Sequence, residues 1–454
     1  MATSVSESAA IGTDVTATAT RVRWVVAAWL AAVAAIAYLS RTSIGAAQDE
    51  IRLSLSLSEK QMGLVMGPAF FWTYALTQIP TAWLGQRFGS RLMLVLFTVV
   101  SSLAVVAFSQ AESYVALLLA WMAMGVAQAG MFPCATQTIA RWHPLTERAR
   151  STGLLGGSMQ AGSALGIAVA GTLIGAIGWR KMFVLFALPG FVWAAGFARW
   201  FRNEPREHPS VNGAERELIA GGSAAKETGV AHDPAPATPW LKLLGSQTMW
   251  LICAQQIFRA GAQAFFATWF VKYLQETRGV NLTQSAWLTA LPVLALMTAA
   301  FVGGGVSDFI LLRGGSLNMA RKGVATVTLL LCTAIVGAAY FVQQPLPAVL
   351  LISVGVFMAG FGAPCAYAVT IDVGGRHVPA VFSTMNMFGN FGAGLFAWGV
   401  PHYRAAVERL AGGSPGDAVR TSWDAVLLLF AATYLAAALC WIWLRIEPNS
   451  LDRE

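Results

Sequence analysis

Twelve apolar segments, each about 20 residues long, recur along almost the whole chain. Each is long enough to cross a bilayer as a helix, which needs roughly 20 apolar residues. A helix satisfies its own backbone hydrogen bonds in lipid, whereas the strands of a membrane barrel would be shorter and alternate in polarity. We therefore predict an all-α membrane protein. The segments cover residues 24–45, 62–84, 91–110, 114–140, 151–176, 181–201, 248–274, 285–311, 320–343, 346–371, 379–401 and 422–445.

The composition supports a membrane bundle and argues against other classes. Hydrophobic residues make up 56% of the 454 residues and charged residues only 11%, whereas a soluble domain has roughly 25% charged residues. The formal net charge of +8 does not indicate nucleic-acid binding, because Lys and Arg lie mainly in short loops between apolar segments. The five cysteines fall within apolar segments without a CxxC pair. We expect them to be packing residues, and we expect no metal or cofactor.

The segments divide into two sets of six. Residues 21–203 and 247–446 are the predicted N-terminal and C-terminal bundles, the polar stretch 204–246 is the linker, and 1–20 and 447–454 are tails. The first tail has no signal-peptide pattern, so we expect a disordered cytoplasmic tail. Residues 210–220, around Glu215, have a helical pattern, but we expect a solvated linker there.

Basic loop residues predict that both termini and the linker are cytoplasmic, as in a multi-pass protein of a bacterial-type inner membrane. Those on the predicted cytoplasmic side include Arg87, Arg91, Arg141, Arg148, Arg150, Arg199, Arg202, Arg206, Arg313, Arg321 and Lys322. Two six-helix bundles related by an axis along the membrane normal form a transporter plan, with the substrate between the halves. We expect a monomer in a lipid bilayer.

Arg41 lies well inside the first apolar segment. Its guanidinium stays protonated at physiological pH, and such a charge at bilayer depth nearly always faces a bundle interior or a watery cavity. We therefore expect Arg41 to meet an anion. That anion is either the carboxylate of a substrate, which a planar guanidinium binds through two parallel hydrogen bonds, or an internal acid in a structural salt bridge.

A loop pattern after the second segment, repeated more weakly after the eighth, resembles the major facilitator superfamily. The two loops read Gly85-Gln86-Arg87-Phe88-Gly89-Ser90-Arg91 and Ser307-Asp308-Phe309, with Arg313-Gly314-Gly315 following. The resemblance implies twelve helices and gating loops in which Arg87, Arg91 and Asp308 act against helix C-termini to hold the halves together in the outward-open state. Gln86 replaces the expected acid, so we expect a weaker latch in the first half.

Several further motifs together resemble the anion:cation symporter family, whose members carry organic anions, commonly sugar acids such as hexuronates and galactonate. These motifs are Tyr38-Leu39-Ser40-Arg41, Phe70-Phe71-Trp72-Thr73-Tyr74-Ala75-Leu76-Thr77-Gln78-Ile79-Pro80, Met131-Phe132-Pro133, Arg141-Trp142, Glu147-Arg148-Ala149-Arg150, Gly178-Trp179-Arg180, Asn386 and Gly389-Asn390. The resemblance implies that Arg41 clamps the substrate carboxylate. It also implies substrate contacts for Tyr74, Gln78, Asn386 and Asn390, for which the alternative is hydrogen bonding between helices.

Three positions depart from the family pattern. Ser40 and Gln128 stand where proton-coupled members have an Asp and a Glu, and Trp121 stands where the sugar-acid subgroup often has an Arg. A hydroxyl and a carboxamide do not titrate, so the sequence favours facilitated diffusion, exchange, or a cation coupling that it does not reveal. Asp372 is the remaining candidate for a proton carrier, against a structural role near Arg376. With these acids absent, we expect the substrate itself to be the counter-ion of Arg41 that lets the protein close.

Arg259, in the seventh segment, raises an alternative. Related organophosphate:phosphate antiporters use one Arg from helix 1 and one from helix 7, although their second Arg aligns with Gln263 here. Arg259 is therefore a candidate for substrate binding or gating, against pairing with a carbonyl or a headgroup. A non-transporting sensor is a further alternative. An enzyme is not expected, because no nucleophile, base and orienting group form a recognisable motif.

Overall fold

The computed structural model describes residues 18–221, 240–374, 378–411 and 414–446, and every regular element within them is helical. Most of the two predicted tails lies outside the described residues. The first half contains α1 (Val22–Thr42), α2 (Ile44–Ser54), α3 (Glu59–Leu64), α4 (Phe70–Phe88), α5 (Ser90–Ser109), α6 (Tyr114–Ala129), α7 (Met131–Trp142) and α8 (Leu145–Trp200). Next come α9 (Gly213–Gly221) and α10 (Trp240–Gly245). The second half contains α11 (Gln247–Thr268), α12 (Phe270–Arg278), α13 (Leu282–Leu312), α14 (Val324–Ala339), α15 (Pro345–Gly360), α16 (Gly362–Gly374), α17 (Val378–Ala411) and α18 (Pro415–Trp443).

All twelve predicted segments are helical, and some are interrupted. The first continues from α1 into α2, and the second passes through a π-helical turn, Val65–Ala69, between α3 and α4. The fifth and sixth form α8, which changes direction at Gly178, where φ is 76°. A positive φ is readily adopted by glycine and rarely by other residues. Gly178 therefore marks the boundary between two membrane crossings.

Eight helical stretches in the described ranges are long and apolar enough to cross a membrane. They cover nine of the twelve predicted segments, because α8 contains two. The other three segments correspond to α3–α4, α11–α12 and α17. Each carries polar residues that lower its hydropathy, such as Gln78, Gln256 and Asn386. Helix α17 packs against both α4 and α11. The more polar helices therefore lie together, where their polar groups face protein and not lipid.

The two halves meet along a seam formed by α4 with α17 and by α8 with α13. Glycine makes the close approach possible, because a Cβ on Gly67 would stand 2.5 Å from the carbonyl oxygen of Gly394. Further along the interface, the Gln48 side-chain amide donates a 3.0 Å hydrogen bond to the carbonyl of Thr268. Closure of the seam therefore depends on backbone contact, with few side chains intervening.

The chain ends define one end of the bundle, which we call the terminal end. There the Asn212 side chain bonds the carbonyl of Thr18, and Thr248 bonds the carbonyl of Arg445 at 3.3 Å. We call the other end, reached at Ser54 and Glu59, the distal end. These two names describe the molecule without reference to the side of the membrane.

The expectation that residues 210–220 form a solvated linker is wrong. They include most of α9, and Glu215 is 0% exposed. Its carboxylate accepts hydrogen bonds from the backbone N–H groups of Val22 at 3.2 Å and Arg23 at 3.1 Å, and it pairs with the Arg23 guanidinium at 3.0 Å. The first N–H groups of a helix have no partner within it. Glu215 therefore caps α1 from almost two hundred residues away.

Candidate functional site

Arg41 lies in the last turn of α1 and is surrounded by aromatic rings. Its Cζ is 4.3 Å from the ring centre of Phe70, 4.7 Å from Phe71, 5.0 Å from Tyr38 and 5.7 Å from Tyr74. We call these four residues the aromatic cage. The electron-rich faces of the rings partly compensate the positive charge. Within the described ranges no carboxylate pairs with Arg41, so its guanidinium keeps hydrogen-bonding capacity for an anion.

The cavity beside Arg41 belongs to the N-terminal half. Helix α1 contributes Tyr38 and Arg41, α4 contributes Tyr74, and α6 contributes Gln128. The rest of its lining is aliphatic, aromatic or methionine side chains from α1, α7 and α8. One fixed positive charge and two phenols therefore stand in a largely apolar space, where electrostatic attraction to an anion is stronger than in water.

The three amides predicted to contact substrate lie close together at the seam. Asn386 of α17 donates a 3.1 Å hydrogen bond to Gln78 of α4, and so joins the two halves. Asn390 donates a 2.9 Å bond to the backbone carbonyl of Asn386. For Gln78 and Asn386 the structure thus provides the hydrogen bond between helices that is the alternative to substrate contact, whereas Asn390 bonds within α17.

The positions expected to hold coupling acids carry neutral groups bonded to protein. The Ser40 hydroxyl approaches the carbonyls of Ile36 at 3.4 Å and Phe186 at 3.5 Å. Gln128 donates to the carbonyl of Ala37 and to the Ser101 hydroxyl, both at 3.3 Å. Neither a hydroxyl nor a carboxamide ionises at physiological pH, so neither can replace a titrating carboxylate.

Trp121 lies in the core of the N-terminal half and does not line the cavity beside Arg41. It is 1% exposed, and its ring centre is 4.5 Å from that of Phe108. Phe183 packs edge-on against both rings. The tryptophan thus fills apolar volume at the position where the family resemblance places an arginine.

Arg259 and Asp372 lie within the C-terminal half, away from the lining of the Arg41 cavity. Arg259 is 6% exposed and donates two hydrogen bonds to the Gln256 side-chain oxygen, at 2.8 and 3.3 Å. Asp372 on α16 forms an ion pair with Arg321 at 3.5 Å. Arg376, its partner in the structural alternative, lies outside the described residues. Asp372 is thus engaged in a structural pair.

The predicted gating loops lie at the terminal end. The Arg91 side chain donates a 3.1 Å hydrogen bond to the carbonyl of Ala198, in the last turn of α8. This is a basic side chain against a helix C-terminus, within the N-terminal half. Arg87 is exposed and lies over the Trp83 ring at 5.2 Å. The side chain of Asp308 lies outside the described part of the structure.

A group of charged residues at the distal end joins the halves. We call Asp49, Glu59, Lys272, Glu276 and Arg404 the distal network. Lys272 of α12 is 1% exposed and contacts Asp49 of α2 and Glu59 of α3, each at 2.7 Å. The second oxygen of Glu59 contacts Arg404 of α17 at 3.1 Å, and Arg404 also contacts Glu276 at 3.0 Å. Two cations of one half therefore hold two acids of the other.

This network is not among the features predicted from the sequence. A local signal exists, because Lys272 with Glu276 and Arg404 with Glu408 are base–acid pairs spaced i, i+4. That signal identifies pairs within single helices. Contacts between α3, α12 and α17 become visible only in the tertiary structure.

The charges of the distal network act on Glu59. Burial opposes ionisation of this carboxyl, but the charges of Lys272, Arg404 and Arg52 outweigh the effect and hold the pKa of Glu59 below its ordinary value. Glu59 is therefore ionised at neutral pH and available to both cations.

Sequence comparisons give a family and named relatives. The model of the Major Facilitator Superfamily matches residues 30–397. A protein of Cupriavidus necator named as the probable sulfoacetate transporter SauU is 29% identical over 356 residues, which cover 77% of this chain and 80% of that protein. The probable galactarate/D-glucarate transporters GudP of Bacillus subtilis and GarP of Escherichia coli K12 are 28% and 29% identical, covering 82% and 79% of this chain and 83% of each relative.

Solved structures share the fold. A bacterial homologue of the human lysosomal transporter Spinster, in an inward-facing and unoccupied conformation, superposes with a TM-score of 0.74 at 20% identity and covers 95% of this chain and 100% of that one. A D-xylose–proton symporter gives a TM-score of 0.69 at 13% identity, covering 95% and 99%. At these identities the likeness concerns the fold alone.

Proposed function

Because the chain belongs to the Major Facilitator Superfamily, and is thus a multi-pass membrane transporter and not an enzyme, we propose that it carries a small organic anion whose carboxylate is bound by Arg41. The observation that carries this proposal is the environment of Arg41. Its guanidinium faces a cavity and has no carboxylate partner among the described residues. A bound carboxylate supplies both the missing charge and acceptors for its N–H groups.

The names of the relatives support an anionic substrate. Sulfoacetate, galactarate and D-glucarate are all organic anions. Sugar acids, including hexuronates and aldonates, are therefore the first substrates to test. Tyr38 and Tyr74 stand beside Arg41 with hydroxyls that can donate to the same carboxylate.

We further propose that transport occurs by facilitated diffusion or by exchange of anions. This proposal is supported by Ser40 and Gln128, which are neutral and bonded to protein oxygens. Alternating access would open and close the seam between the halves, with the termini on the cytoplasmic side as the basic loops predict. In this scheme the distal network closes the outer path.

Counterflow in proteoliposomes tests the proposal. The full chain should exchange labelled glucarate, glucuronate or gluconate for unlabelled anion inside the vesicle. Arg41→Gln should reduce binding by roughly 10- to 100-fold, because a charge-assisted hydrogen bond contributes about 1.5–3 kcal/mol. Arg409→Gln is the matched control, since Arg409 is exposed and bonds only the carbonyl of Ala405 among the described residues.

Three outcomes would contradict parts of the proposal. Binding without counterflow would indicate a sensor. Unchanged binding in Arg41→Gln would remove Arg41 from the site. Accumulation of substrate driven by an inward proton gradient would overturn uncoupled transport while leaving the anion site in place.

A further inference from the structure

The wall of the cavity beside Arg41 is apolar apart from the guanidinium, the two phenols and the amide of Gln128. Eight of its lining side chains come from α1, α7 and α8 and are aliphatic, aromatic or methionine, among them Val33, Phe132, Leu155 and Met159. A hydroxyl placed against such a wall loses its bonds to water and gains none in return. The wall therefore selects against hydroxyl groups on the body of a bound anion.

The amide N–H groups near the site already donate within the protein. Gln128, the amide in the lining, donates to the carbonyl of Ala37 and to Ser101. At the seam, Asn386 donates to Gln78, and Asn390 donates to the carbonyl of Asn386 within α17. A substrate hydroxyl that accepted from these N–H groups would compete with bonds that the protein makes to itself.

The head of the site is different, because its polar groups remain available. The structure records no hydrogen bond to the hydroxyl of Tyr38 or of Tyr74 within the described ranges, and Arg41 has no carboxylate partner there. The guanidinium and the two phenols line the same cavity, so all three can donate to an anion bound there. The head of the site fits one carboxylate, with the aromatic cage behind it.

From this arrangement we infer that, among organic anions, the site prefers one with a single carboxylate head and an apolar body, such as a cyclic or branched aliphatic acid, over a polyhydroxylated acid of similar size. The inference rests on the proposed function, because it takes Arg41 as the anion site. It deepens that function by assigning the body of the substrate to the wall formed by α1, α7 and α8.

Two ligands of similar size test the inference. Cyclohexanecarboxylate and glucuronate both place a carboxylate on a six-membered ring and differ mainly in hydroxyl groups. Their apparent dissociation constants are measured by ligand-dependent thermal stabilisation of the full chain in detergent. We expect cyclohexanecarboxylate to bind at least about tenfold more tightly than glucuronate. One hydroxyl that loses its bonds to water and finds no partner in the site already weakens binding by about that factor. Cyclohexanecarboxamide controls for the charge and should not stabilise the protein.

Variants connect this preference to the wall. Leu155→Asn places an amide in the lining and should narrow the preference for cyclohexanecarboxylate over glucuronate by several-fold. Leu155→Met is the matched control, because it keeps the wall apolar at similar volume and should retain the preference. Arg41→Gln should remove the stabilisation by either anion, which separates binding at the site from partition of the ligand into detergent.

The outcomes distinguish failure of the inference from failure of the proposed function. If glucuronate binds as tightly as cyclohexanecarboxylate or more tightly, and Arg41→Gln removes its binding, the apolar body is overturned and the Arg41 anion site stands. If neither anion stabilises the wild type more than Arg41→Gln, the proposed anion site falls and the inference falls with it. The comparison of ligands on the wild type requires no variant to fold.

Discussion

Glu59 of α3 and Lys272 of α12 form a 2.7 Å ion pair between the two halves of the molecule, and Lys272 is almost completely buried. A buried cation that loses its partners is strongly destabilising, even where the intact pair adds little net stability. The pair therefore makes the state closed at the distal end depend on contacts that opening must break. Residues of the terminal-end gating loops provide no such pair between the halves among the described side chains.

Lys272→Met should open the distal end more often, because Asp49 and Glu59 would lose their closest cation. Ala397→Cys provides a reporter, since Ala397 is buried where α17 passes Gly67. We expect labelling of this cysteine by a membrane-impermeant reagent to rise at least about tenfold, since removing one partner of a buried pair costs about 3–5 kcal/mol. The five native cysteines are buried and add little background.

Arg278→Gln is the matched control for Lys272→Met. Arg278 is also a basic residue of α12, but it donates hydrogen bonds to Gln343 and Tyr273 within the same half. Labelling of the cysteine at position 397 should therefore stay at the wild-type level. An equal rise in both variants would show that the distal network has no specific role in closure.

Acid should weaken the distal network only at low pH. Because the pKa of Glu59 is lowered in the folded protein, its contribution to stability is fully present above the ordinary value of about 4.3 and is lost as pH falls through the lowered pKa. Between about pH 5 and 8 we therefore expect Glu59 to add no pH dependence to the Tm measured in detergent. Glu59→Gln should lower the Tm at pH 7 by a few degrees and reduce its further fall in acid. If the Tm of this variant fell in acid as steeply as that of the wild type, Glu59 would not be the group whose protonation destabilises the protein.

Gly67→Ala should slow transport without weakening substrate binding. The added Cβ would stand 2.5 Å from the carbonyl oxygen of Gly394, so α4 and α17 could not approach as closely as they do in the closed seam. We expect the counterflow rate to fall roughly tenfold and the dissociation constant measured by thermal stabilisation to change little. Gly399→Ala on α17 is the control, because its Cβ meets no atom within 4 Å. Equal counterflow rates in the two variants would argue against a role in transport for the close contact between Gly67 and Gly394.

Glu215→Gln should lower the stability of the N-terminal half. The carboxylate of Glu215 caps α1 and pairs with Arg23, so the neutral amide leaves a nearly buried guanidinium with less compensation. Breaking a buried pair costs about 3–5 kcal/mol, and Glu147 retains part of the interaction with Arg23. We expect a drop in Tm of several degrees. Glu217→Gln, on the exposed face of the same helix, is the control and should leave the Tm unchanged. A similar drop in Tm for this variant would show that the loss comes from disturbing α9 and not from the Glu215 carboxylate.

The sequence allowed the helices to be predicted better than the site. Apolar segments of about 20 residues have one stable form in lipid, so all twelve were identified, as was the break at Gly178. Arg41 could be recognised as a positive charge at bilayer depth that needs an anion beside it. Its enclosure by Phe70, Phe71 and two tyrosines could not be predicted, because a cage requires α1 and α4 to pack in one particular register.

Two properties follow from the order of residues alone: the chain crosses a membrane as two sets of six helices, and one arginine lies where a charge needs a partner. Both result from the transfer of apolar segments and of a charge between water and lipid, which depends on local composition. The pairing of distant groups is visible only in the folded molecule, where Glu215 bonds α1, Glu59 bonds Lys272 and Asn386 bonds Gln78. These pairs depend on the relative placement of whole helices, which results from packing over the entire chain and leaves no local pattern.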